Sequence, residues 1–187
     1  MKTIKNITIG VDLDDTLNNL MGVWIEKYNQ NYNDNLNLEN IKSWGVQRYV
    51  KCGDKIYDFL KVPGFYYNLD LKDEYTYEGF QYLCENFDVY IISACDPQTV
   101  GDKARWIEKH FPFFDVDNKF ISCVAKHLFN VDFLIDDGPH NIENFPNKTI
   151  CVDAPYNRNV HTEKVDYRVK NWQDIMRIFA EMSVTAV

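Results

Sequence analysis

Four short apolar runs recur along the chain, and three of them stop at an acidic residue. Ile4 to Val11 (Ile-Lys-Asn-Ile-Thr-Ile-Gly-Val) meets Asp12, and Val89-Tyr-Ile-Ile closes on Ser93. Val131-Asp-Phe-Leu-Ile135 meets Asp136, and Thr149-Ile-Cys-Val152 meets Asp153. Runs this short and this continuously apolar predict strands of a parallel sheet buried on both faces. Around them, apolar residues fall at helical spacing: Phe80, Leu83 and Cys84; then Ala104, Ile107 and Phe111; then Ile175, Ile178, Phe179 and Met182. The alternation predicts an α/β fold, a Rossmann-like three-layer core with a parallel sheet. In such sheets ligands bind at the carboxyl ends of the strands, where these polar residues stand.

Residues 17–75 break the rhythm. Leu20, Val23, Trp24 and Tyr28 form an amphipathic stretch, the Asn-rich segment Asn29 to Asn40 follows, and a second helical pattern runs from Tyr49 to Leu60. Tyr32, Leu36 and Leu38 interrupt the Asn-rich segment too often for a low-complexity loop, and Pro63-Gly64 signals a turn. With no strong strand pattern, 17–75 is expected to be a small helical cap inserted after the first strand. The segments 1–16 and 76–187 then make up one core.

Composition narrows the class of partner. The chain's 187 residues suffice for one core with a small appended subdomain. Its 20 Lys and Arg against 28 Asp and Glu leave a net charge of −8, which weighs against nucleic-acid polymers and anionic membranes. An anionic small molecule would need local positive charge or a metal. No run approaches the roughly 18–20 apolar residues of a membrane span, and the start lacks the apolar region of a signal peptide, so the expected address is cytoplasmic. Five cysteines without a CxxC pair predict free thiols, and four histidines without ligand spacing predict surface or packing roles.

The chemistry concentrates where strands end. Asp12 and Asp14, two residues apart after the first strand, can face one cavity. One carboxylate can attack an electrophile and bind a cation, while the other carries a proton as an acid. Adjacent acids also cap helices, a role open to Asp15 and Thr16. Asp136-Asp137-Gly138 alone would suit a plain turn. Brought beside Asp12 and Asp14, it makes a charge density that a hard cation such as Mg2+ relieves. Ser93 and Lys126 add a hydroxyl and a fixed cation, which a phosphoryl group needs beside a metal.

These residues, in this order, resemble the four motifs of the haloacid dehalogenase superfamily. Three strings resemble its 5'(3')-deoxyribonucleotidases: Val62-Pro-Gly-Phe-Tyr66, Lys103-Ala-Arg-Trp-Ile-Glu-Lys-His-Phe111 and Phe133-Leu-Ile-Asp-Asp-Gly-Pro139. The resemblance implies Asp12 as nucleophile, forming an aspartyl-phosphate, and Asp14 as general acid and then base. It implies Ser93, Lys126 and the backbone N–H of Ala94 as phosphate-binding groups. Asp12, the carbonyl of Asp14, and Asp136 would ligate Mg2+, with Asp137 as a direct or water-mediated ligand. Two departures stand out: Asp15 where the superfamily often has Gly, and Ala94 where better-known members have a hydroxyl.

The cap carries Trp24, Trp44, Phe65, Tyr66 and Tyr67. Flat rings beside a phosphate site suit a nucleobase. Phe65, Tyr66 and Trp44 are the expected substrate contacts, while Trp24 fits the cap's own core. The implied substrate is a deoxynucleoside monophosphate. The alternatives are another small phosphomonoester such as a sugar phosphate, phosphoryl transfer to a second sugar, or a non-catalytic nucleotide sensor. Retention of both Asp12 and Asp14 argues against the sensor. The aromatic-rich surface is compatible with a homodimer.

Overall fold

The computed structural model describes residues 6–185. Six parallel strands form one sheet: β1 (Thr8–Val11), β2 (Asp88–Ser93), β3 (Phe120–Ser122), β4 (Phe133–Asp136), β5 (Lys148–Val152) and β6 (Tyr167–Val169), in the order β3-β2-β1-β4-β5-β6. The order reverses beside β1, so β2 and β4 flank it and a crevice opens above their carboxyl ends. The first strand begins at Thr8; the expected positions Ile4 and Lys5 lie outside the described residues. Four strands were expected. β3 and β6 are the additions, three residues each and at the two edges, too short to leave an apolar run.

Both faces of the sheet are covered. On β4, Phe133 and Ile135 join the main hydrophobic cluster, while Leu134 packs with Val131 and Phe145. That split is the two-residue alternation of a strand. Among the described residues there are six helices: α1 (Leu20–Tyr32), which belongs to the cap, and α2 (Thr76–Asn86), α3 (Val100–His110), α4 (Val116–Lys119), α5 (Pro139–Asn144) and α6 (Trp172–Thr185), which accompany the sheet. Phe80 of α2, Trp106 of α3 and Trp172 of α6 are fully buried in the core. Such aromatic side chains each bury on the order of 150–250 Å2 and carry much of the core's stability. None of the helices among the described residues is long and apolar enough to cross a membrane.

Between β1 and α2 the chain forms a helical cap. After α1 come four 3-10 segments, Leu38–Asn40, Val46–Arg48, Gly53–Lys61 and Tyr66–Asn68. The helical pattern expected over Tyr49 to Leu60 is therefore met by a 3-10 segment that starts at Gly53, whose positive φ of 56° breaks the chain before it. The two linkers of the cap run side by side. Asn19 N–H donates to the Asp70 carbonyl at 3.0 Å, and Lys72 N–H donates to that of Leu17 at 2.9 Å.

Candidate active site

The backbone brings the two acidic pairs together. Asp12 N–H donates to the Ile135 carbonyl at 2.8 Å, extending the β1–β4 pairing past the strand end and setting Asp12 beside Asp136. Asp12, Asp136 and Asp137 are buried, and each offers an oxygen within 4.8 Å of the others. Lys126, only 3% exposed, donates to Asp12 and, at 2.7 Å, to Asp136. Asp136 also accepts from Gly138 N–H at 2.7 Å and from the Asn141 amide. Tyr156 donates its hydroxyl to Asp137, and Asn157 donates to the Asp137 carbonyl at 2.7 Å.

Asp14 stands apart from that cluster, on the side of β2. Its Oδ2 accepts from Lys103 Nζ at 2.5 Å and its Oδ1 from the Asn18 amide at 3.0 Å. Lys103 Nζ also donates to Ser93 Oγ at 3.1 Å and the Ala94 carbonyl at 2.8 Å, and lies 4.6 Å from the centre of the Tyr66 ring. One buried lysine thus joins Asp14, Ser93, Ala94 and Tyr66. Sequence reasoning placed Lys103 in a family-like string but gave it no role.

Three lysines balance part of the negative charge. Lys126, Lys103 and Lys72 pair with Asp12 and Asp136, with Asp14, and with Asp15, respectively. Five carboxylates, counting Asp137, against three ammonium groups leave two negative charges for a divalent cation to neutralise. Without one, burial pushes the Asp12 carboxyl up to about 7; Lys126 opposes the shift, while Asp136 and Asp14 add to it. Burial also raises Asp137 well above the carboxylate range, helped by Asp12, Asp136 and Asp15 and opposed by the Tyr156 hydrogen bond. For Lys126, burial disfavours the charge, yet Asp12 and Asp136 hold its pKa above the ordinary lysine value, so it stays an ammonium. Three convergent carboxylates are oxygen donors of the kind a hard divalent cation takes.

A cavity of about 280 Å3 opens above these groups, near the small end of the roughly 300–1,000 Å3 typical of small-molecule sites. Asp12, Asp14, Ser93, Ala94, Lys126, Asp136 and Asp137 line its core side. Trp44, Tyr66 and Trp24 line it from the cap. Trp44 is 48% exposed, tilted over His140 at 4.9 Å and edge-on to Tyr156 at 5.5 Å. His140, expected on the surface or in packing, is a wall of this cavity. Phe65 is buried against the edge of Tyr66 and does not line the cavity, because the 3-10 turn starting at Tyr66 sends neighbouring side chains in different directions.

Comparison with known proteins agrees with this geometry. A 5'(3')-deoxyribonucleotidase of Clostridium acetobutylicum is 40% identical over 169 residues, covering 89% of this chain and 91% of the relative. One from Bacillus subtilis is 30% identical, covering 90% and 96%. Solved haloacid dehalogenase-like hydrolases share the fold. That of Deinococcus radiodurans, with bound phosphate and sodium, superposes with a TM-score of 0.64 at 11% identity, over 96% of this chain and 97% of that one. That of Streptococcus pneumoniae gives 0.62 at 14% identity, over 93% and 98%. The family described as "5' nucleotidase, deoxy (Pyrimidine), cytosolic type C protein" matches residues 5–184. The chain belongs to that family.

Proposed function

We propose that the protein is a Mg2+-dependent phosphomonoesterase that removes the phosphate from deoxynucleoside monophosphates through an aspartyl-phosphate on Asp12. The observation that carries this reading is the division of labour between two carboxylates two residues apart. Asp12 belongs to the buried cluster with Asp136, Asp137 and Lys126, while Asp14 belongs to a separate cluster with Lys103 and Ser93. The two environments suit two different roles.

The residues then act in sequence. Ser93 Oγ, the backbone N–H of Ala94, and Lys126 hold the phosphoryl oxygens. Asp14 takes up a proton as the anionic substrate binds; an Asp12 oxygen then attacks phosphorus, the bond from phosphorus to the sugar oxygen breaks, and Asp14 gives that proton to the sugar oxygen. Asp14 then takes a proton from a water molecule that attacks the same phosphorus. The Asp12–phosphorus bond breaks, and inorganic phosphate and the free Asp12 carboxylate result. Mg2+ held by Asp12, Asp136, the Asp14 carbonyl and Asp137, directly or through water, would neutralise phosphoryl charge. The helical cap shields the centre from bulk water.

The substrate class follows from the cap. Its contribution to the cavity is largely apolar and aromatic, with Leu20, Met21, Trp24, Ile41, Trp44, Val46 and Tyr66 on the wall. Such a wall favours a flat nucleobase over a sugar, whose hydroxyls would meet few partners there. The named activity of the Clostridium acetobutylicum and Bacillus subtilis relatives supports the same choice. The test is phosphate release across deoxy- and ribonucleoside monophosphates, with 5' or 3' phosphates, and sugar phosphates, with Mg2+ and with chelator. Preferred turnover of deoxynucleotides, lost in a folded Asp12→Asn variant, is the expected result. Equal turnover of sugar phosphates would remove the nucleotidase reading, and an active Asp12→Asn variant would remove the covalent mechanism.

A further inference from the structure

Asp15 lies in the loop that carries Asp12 and Asp14 and belongs to the cavity lining, yet both its carboxylate oxygens are taken by groups of the cap. Its φ is +54°, in the left-handed region that glycine enters freely. A side chain there strains the backbone. Asp15 is 3% exposed, and both carboxylate oxygens are engaged. Oδ1 accepts from Lys72 Nζ at 3.1 Å, and Oδ2 accepts from Met21 N–H at 3.0 Å.

Those two partners belong to different parts of the cap. Met21 is in the first turn of α1, where the chain enters the cap, and Lys72 lies where it returns to the core. The linkers are already joined by the hydrogen bonds between Asn19 and Asp70 and between Lys72 and Leu17. Asp15 adds a buried ionic tie between both linkers and the catalytic loop. Its own N–H donates to Asn18 Oδ1 at 3.2 Å, and the Asn18 amide donates to Asp14 Oδ1 at 3.0 Å. One path of direct contacts therefore runs from Lys72 through Asp15 and Asn18 to Asp14. Burying such a pair is weak evidence for stability, since apolar replacements often do as well. Placed on a strained backbone beside Asp14, it points to a positional role.

We propose that Asp15 and Lys72 are positioning residues that fasten the cap's hinge to the catalytic loop, fixing both the pose of the cap over the cavity and the orientation of Asp14. For its kinetic consequences this rests on the phosphomonoesterase reading; the hinge itself can be read without activity. The experiment compares the wild type with Lys72→Met, Asp15→Gly and the double variant. The measurements are amide hydrogen exchange, thermal midpoint, and kcat and KM for a deoxynucleoside monophosphate and for p-nitrophenyl phosphate.

In Lys72→Met, exchange should rise about tenfold or more in the peptides spanning 17–24 and 69–75, with β4 and β5 unchanged. The kcat for the nucleotide should fall about tenfold or more, because a small displacement of Asp14 is enough. The kcat for p-nitrophenyl phosphate, whose leaving group needs no protonation, should fall less. Asp15→Gly combined with Lys72→Met removes both buried charges and the backbone strain, so its thermal midpoint should recover while kcat and hinge protection stay low. Recovery of kcat together with the midpoint would show a purely structural pair and overturn the proposal. So would unchanged hinge exchange in Lys72→Met. Should the wild type release no phosphate from any ester, the functional reading fails, and hinge exchange alone decides the clamp.

Discussion

Lys103 Nζ sits 2.5 Å from Asp14 Oδ2, a contact between the first turn of α3 and the loop after β1. The same ammonium reaches Ser93 Oγ at 3.1 Å, so it couples Asp14, the proposed acid and base, to the proposed phosphate-binding side of the cavity. Removing a group that orients the proton donor costs rate in the transition state rather than substrate affinity. Lys103→Met is expected to lower kcat for nucleoside monophosphates by about 100-fold, within the range for losing one preorganised donor, with a smaller change in KM. Steady-state kinetics with circular dichroism to check folding measure this. A KM effect with unchanged kcat would show that Lys103 serves binding alone.

The metal-free protein should lose stability as pH rises through neutrality. Asp12 has a folded-state pKa of about 7 against an ordinary value of 3.8. A carboxyl raised in this way binds more protons folded than unfolded between those values. Its contribution is complete below about pH 4 and is lost as pH climbs to about 7. The slope from this group is at most about 1.4 kcal/mol per pH unit. Urea denaturation in chelator, at several pH values, should show the wild type falling relative to Asp12→Asn across that window. Millimolar Mg2+ should flatten the difference, because a cation favours the ionised carboxylates. A wild-type profile parallel to that of Asp12→Asn in chelator would contradict the placement of Asp12 in a buried acidic cluster.

Gly79 offers a stability test away from the chemistry. In an exposed helix, glycine to alanine would stabilise by roughly 0.5–1 kcal/mol. Here a Cβ at Gly79 would lie 2.8 Å from Trp172 Cε3, and the indole is fully buried with its Nε1 donating to the Thr16 carbonyl at 2.7 Å. The ring cannot shift without breaking that bond. Gly79→Ala is therefore expected to destabilise by about 1–3 kcal/mol, the usual range for overpacking. An unchanged or raised denaturation midpoint would mean that α2 and α6 can slide apart.

Residues that meet the cavity where their own segment ends were readable from the chain; residues that reach it from elsewhere were not. Asp12, Ser93 and Asp136 sit at the carboxyl ends of apolar runs, and parallel topology gathers such ends at one edge of the sheet. Lys103 comes from the first turn of a helix and meets Asp14 only through tertiary packing. Its signals were its place at the head of a family-like string and its position on a helical face with the buried Trp106 and Ile107. Lys72 had no such signal, because the antiparallel linkers that bring it to Asp15 are not a repeated pattern. The edge strands β3 and β6 were missed because Tyr167-Arg168-Val169 alternates over too few residues to outweigh a loop.

Substitution of Trp44 tests recognition of a base separately from recognition of the phosphate. It lies at the cavity wall, 48% exposed, and contributes little to the core, so its removal should leave the denaturation midpoint close to wild type. Its ring is braced by His140 and Tyr156, which leaves a flat aromatic surface facing the cavity at low conformational cost. If a nucleobase stacks there, Trp44→Ala should forfeit roughly 1–3 kcal/mol of binding, about a 5- to 150-fold rise in KM for a nucleoside monophosphate. For p-nitrophenyl phosphate, whose ring is smaller and lies next to the phosphate, KM should change much less. Trp44→Phe should recover most of the nucleotide affinity, because a ring face is retained. Equal KM changes for both substrates would place the base elsewhere, leaving Tyr66 as the next aromatic wall to substitute.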